Sequence, residues 1–134
     1  MADFIIIPAI ICGFVLGLYE AISLIKDVEI PLHRFSHATH AFATSFIFTF
    51  AVFNVPFVVS LLPFLKIIPV IGIQVILGLI AAIKVHATSK VTKSTAGLQG
   101  GSETWFHTFI VGGLIIAAPY VWPFIAKVLP VWMR

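Results

Sequence analysis

Three features of the sequence predict an all-α membrane protein, four transmembrane helices in a compact bundle. Apolar residues make up 60% of the 134 and charged residues only 10%, where a soluble domain carries about a quarter charged. Four apolar runs, about 4–25, 38–62, 67–85 and 105–126, approach or exceed the ~20 residues that cross ~30 Å of hydrocarbon. Of the charged residues, only Glu20 and Lys84 fall inside those runs. The chain reads as one integral membrane domain, 1–134. Nothing in it alternates as the strands of an outer-membrane barrel must.

The first run carries Pro8 in its opening turns, where a missing N–H costs little. Met1-Ala2-Asp3 has no basic residue, so the run is expected to stay in the mature chain rather than serve as a signal peptide. Ala9, Gly13, Gly17 and Ala21 recur every four residues and line one face. In lipid, close approach over small residues joins helices where the hydrophobic effect cannot. Glu20 lies on the same face, and a carboxylate there needs a partner or water. Cys12 is the only cysteine, so no internal disulfide forms, and an inert buried thiol is expected.

Pro31 suits the first turn of the next helix. His33, His37 and His40, spaced i, i+4, i+7, share its face. The spacing resembles one histidine box of membrane desaturases and hydroxylases, which need further boxes that this chain lacks, so no family is assigned. Pro56 is expected to kink or interrupt the second run. Lys66, between Pro63 and Pro69, marks an interfacial turn. The third run offers Gln74 as its polar interior residue and Gly78 with Ala82 as a small-residue pair. Residues 86–104, basic and then glycine-rich, read as a flexible loop. Gly97–Gly101 lacks the Lys-Ser/Thr of a phosphate loop. The fourth run opens at Trp105, carries Gly112, Gly113 and Ala117 as a small face, with Gly113 and Ala117 the pair expected to pack, and contains Pro119 and Pro123.

Four crossings bring both termini and Lys66 to one side. Lys26, Arg34, Lys84, Lys90 and Lys93 fall on the other, against Lys66, Lys127 and Arg134. The basic excess predicts a cytoplasmic 86–104 loop. The same count gathers His33, His37, His40, His86 and His107 at one membrane face. Imidazoles at helical spacing suit zinc or another transition metal, and a facing pair suits haem. With Glu20, Gln74 and Lys84 they also suit a proton or ion path. A plainer reading is that histidine rests at headgroup depth.

No complete catalytic set is present, so an enzyme is not expected. No basic patch suits nucleic acid. The leading expectation is a non-enzymatic structural or assembly subunit in an oligomeric membrane complex, with the lipid bilayer and further copies or membrane subunits as partners. The alternatives are a protomer of an oligomeric ion or proton channel or carrier, a metal- or haem-binding redox subunit, and a pilin-like filament subunit built on the last hairpin.

Overall fold

A computed structural model describes the backbone of residues 4–27, 31–96 and 105–133, and the side chains of 4–23, 35, 38–87 and 105–133. The described residues are mostly helical, with no strand. The helices are α1 (Ile6–Asp27), α2 (Pro31–Phe53), α3 (Val55–Leu61), α4 (Val70–Ala96) and α5 (Trp105–Ala126), with short 3-10 turns at Pro63–Ile67 and Val131–Met133. Three helices are each long and apolar enough to cross a membrane, and a fourth crossing is added if α2 and α3 count as one broken span.

α1 and α2 form an antiparallel hairpin in a single register. Gly13 lies against Phe46 and Gly17 against Phe42, while Ile5 is hydrogen-bonded to Asn54. A Cβ on Gly17 would stand 2.8 Å from the Phe42 ring and 3.1 Å from the Phe42 carbonyl. The two phenylalanines, stacked with centroids 6.1 Å apart, fill the space that the glycines leave. Large side chains on one helix thus meet bare backbone on the other, the dense packing that dispersion requires.

α4 and α5 form a second antiparallel pair, in contact from Gln74 and Tyr120 through Gly78 and Gly112 to His86 and Trp105. The midpoint is a backbone-to-backbone contact: a Cβ on Gly112 would lie 2.7 Å from the Gly78 carbonyl oxygen. Gly112 therefore makes the approach. Gly113, one residue and about 100° further round, faces open space, with nothing within 4 Å of a Cβ built there. Ala82 is fully buried beside Gly112, and Ala117 is half-buried.

α2 also packs on α4 and α5, and α1 packs on α5. α2 and α5 thus share the centre. Ala9, Cys12, Val52, Phe53, Ala81, Val111, Ile115 and Ala118 make the core. Many Ile, Val, Leu and Phe side chains are exposed outside it, including Val15, Leu18, Ile47, Ile83 and Phe109. Small residues at the helix contacts with large apolar side chains outside suit a membrane protein.

Two details of the helices refine the predicted runs. The run 38–62 does not continue straight, because the chain turns through 95° between Phe53 and Val55. Pro56 has no N–H to continue the ladder, and the helix breaks at Asn54, whose φ of −116° and ψ of 47° are not helical. The third run does not end at 85: α4 continues to Ala96. Residues 79–96 contain neither Gly nor Pro, so the helix meets no breaker although its side chains turn polar. The rest of the expected 86–104 loop, 97–104, lies outside the described residues.

Candidate functional site

The bundle buries polar side chains at both ends. At the first end they fasten helices. Asn54, 3% exposed, pairs with both backbone groups of Ile5. Its Oδ1 accepts from the Ile5 N–H at 2.8 Å, and its Nδ2 donates to the Ile5 carbonyl at 3.2 Å and to the Phe50 carbonyl at 2.9 Å. The N–H groups at a helix start have no partner within the helix, and here the side chain at the junction of α2 and α3 supplies one. Close by, Gln74 Nε2 donates to the Val52 carbonyl at 3.0 Å. That carbonyl is the acceptor a helical N–H at position 56 would have used, and Pro56 has none. The Tyr120 hydroxyl donates to Gln74 Oε1 at 2.5 Å. One carboxamide thus joins α4 to both α2 and α5.

The opposite end holds ionisable groups. Glu20 follows Gly13 by two helical turns on the inward face of α1 and is fully buried. His107, in the first turn of α5, brings Nε2 to 3.1 Å from Glu20 Oε2, and its side chain keeps 22% exposure. The Tyr19 ring lies beside His107, centroids 5.9 Å apart. On α4, His86 is buried and stacked on Trp105 at 3.7 Å, and Trp105 stacks on Phe109 in turn. Buried hydroxyls of Thr44, Ser45, Thr49 and Thr108 line the interior between the two ends. Thr49 donates to the Ser45 carbonyl at 2.7 Å and Thr108 to the Trp105 carbonyl at 3.0 Å, so these two satisfy themselves on their own helices.

An isolated buried charge is costly, and a hydrogen-bonded acid–base pair is the form in which a low-dielectric interior holds one. Glu20 and His107 link the outer helix α1 to α5 through such a pair. A carboxylate and an imidazole 3.1 Å apart are within hydrogen-bonding reach, and groups of these two kinds occur in the proton relays of pumps and transporters.

The residues singled out from the sequence divide accordingly. Glu20 and His107 meet. His86 lies at the same end against Trp105, and Lys84 and His40 are exposed near it. Gln74 belongs to the other end: twelve residues of α4 separate it from His86, about 18 Å along the axis. The side chains of His33 and His37 lie outside the described residues. Among the described residues, no three His, Cys, Asp or Glu side chains come together as a metal site requires. Ala9, Gly13, Gly17 and Ala21 are all buried on one face of α1.

Asn54 and Tyr120 were not marked by sequence reasoning as site residues. Their signal was present: Asn54 stands two residues before a proline in an apolar run, and that proline orphans the acceptor of Val52. Comparison with protein-family models, curated proteins and solved structures returns no match for this chain.

Proposed function

We propose that this chain is a four-crossing membrane protein that serves as a non-enzymatic structural or assembly subunit of an oligomeric membrane complex. The observation that carries the reading is the Gln74 bridge to Val52 and Tyr120. Together with the Asn54 clamp on Ile5, it means that polar side chains at one end join helices to one another, as a scaffold demands. The apolar exterior leaves faces such as the open side of Gly113 for lipid and neighbouring subunits. On this reading the 86–104 segment is cytoplasmic and both termini lie across the membrane from it.

Native mass spectrometry from mild detergent tests it. A fixed stoichiometry, with further copies or with defined membrane partners, is the expected result. A monomer without partners under conditions that preserve known complexes would overturn it.

A second reading rests on Glu20 and His107. A fully buried carboxylate paired with a partly exposed imidazole also suits a protomer of a proton channel or carrier. It predicts proton flux in liposomes that stops in Glu20→Gln. A sealed liposome with the native chain excludes it. A metal or haem role rests on His33 and His37 as additional ligands, and metal content near one per chain is its test.

A further inference from the structure

The segment after Asn54 is surplus to the second crossing. The register of α1 against α2, with Ile5 at Asn54, Gly13 at Phe46 and Gly17 at Phe42, sets the apolar stretch Ile6–Ser23 of α1 beside residues 36–53 of α2. By this register α2 runs alongside the whole of that stretch before it reaches Asn54. α3 then departs at 95° from the level of the first turn of α1. A helix perpendicular to the bundle at that level runs in the membrane plane.

Its two sides have different environments. Val55, Val58 and Leu65 are buried and pack with Ile73 at the start of α4. The outer side presents Phe57, Leu61 (63% exposed), Phe64 (69%) and Ile67 (90%). Lys66 is exposed in the same turn, between Pro63 and Pro69. Tyr120 and Trp132, both exposed, and Lys127, set over the Phe124 ring, mark this end of α5. Lys, Trp and Tyr collect where hydrocarbon meets headgroups. The outer side of this segment exposes large apolar side chains, as α1, α4 and α5 do.

We propose that Val55–Ile67 is an in-plane anchor seated in a single leaflet, with Leu61, Phe64 and Ile67 among acyl chains and Lys66 at the lipid phosphates. It occupies area in one leaflet only, unlike the crossings. The proposal rests on the membrane reading above.

The test uses nitroxide labels in phosphatidylcholine bilayers, in the full chain made cysteine-free by Cys12→Ala. Labels go at Leu61→Cys, Phe64→Cys and Ile67→Cys, with Ile47→Cys as a lipid-facing control on α2. All four positions are exposed, so folding should survive, and circular dichroism checks it. Accessibility to oxygen and to a nickel chelate gives depth. The expected result is one shared shallow depth for 61, 64 and 67, rich in oxygen and poor in nickel, with 47 much deeper. A steady descent from 61 to 67 would make the segment part of a crossing and overturn the proposal. So would nickel access equal to that in bulk water, or spin–spin broadening from a second copy. Nickel access at 47 itself would instead overturn the membrane reading.

Discussion

Gln74 Nε2 lies 3.0 Å from the carbonyl oxygen of Val52, four residues before the proline that cannot serve that oxygen. The break in α2 is therefore compensated from another helix. In lipid an unsatisfied carbonyl has no water to turn to, so a proline in this position calls for a donor from outside the helix. Gln74→Leu removes that donor and also orphans the Tyr120 hydroxyl. It should lower stability by about 1–3 kcal/mol, measured as the shift of the unfolding midpoint in detergent. Tyr120→Phe should cost less than half as much, because Gln74 keeps its bond to Val52. Equal losses in the two variants would mean that the Val52 bond contributes nothing.

The Asn54 clamp makes a separate prediction about where the protein opens first. Asn54→Ala leaves both backbone groups of Ile5 without their partner. Amide exchange at residues 5–7 should rise, at least tenfold at Ile5, while the middle of α1 keeps its protection. Asn54→Asp retains an acceptor for the Ile5 N–H but loses both donated bonds and buries a charge, so it should be no milder than Asn54→Ala. Exchange rates for α1 that rise uniformly along its length in either variant would show that the clamp acts on the whole hairpin, not on the helix start.

For Glu20 and His107 the prediction is a coupling. Removing one member of a buried acid–base pair strands the other. His107→Ala should therefore destabilise more than Glu20→Gln, which replaces the carboxylate by a neutral group of the same shape. The double variant Glu20→Gln with His107→Ala should be less damaging than the two losses added, by about 1–3 kcal/mol. Strict additivity in a double-mutant cycle would show that the 3.1 Å contact carries no energy.

Two adjacent glycines should behave in opposite ways. At Gly112 a methyl group would stand 2.7 Å from the Gly78 carbonyl oxygen, a backbone atom that yields only if the helices part. Gly112→Ala should cost about 1–3 kcal/mol by overpacking. At Gly113 the methyl meets nothing, and alanine favours the helix over glycine by up to about 1 kcal/mol. Gly113→Ala should be neutral or stabilising. Thermal midpoints of the two variants, measured side by side, decide it. A loss at Gly113 equal to that at Gly112 would mean that a neighbouring subunit covers the open face.

Much of the helical layout was legible in the sequence, because a lipid solvent forces long apolar runs and puts charge in the breaks. The inward face of α1 was legible for a related reason: four small residues in register have no other regular place to go. Gly112 against Gly113 was not, since adjacent helical residues differ by about 100° and either assignment preserves the pattern. The continuation of α4 through 86–96 was hidden by its polar composition, which argues for a loop only if a breaker is present. Pro56 announced an interruption, but no residue near it states an angle, and 95° depends on how Val55 and Val58 seat against Ile73. The pairing of Glu20 with His107 followed only in outline. Topology placed them at one end, and the rotation of α5, invisible in the sequence, brought them into contact.

Forty-nine residues separate Ile5 from Asn54 along the chain. During synthesis Ile5 leaves the ribosome long before its partner exists. The start of the first helix thus stays unfinished until the second has been made and folded back beside it. The first two helices are in this sense a single object for folding, and a chain cut short before Asn54 would release a first helix with its opening turn unsealed.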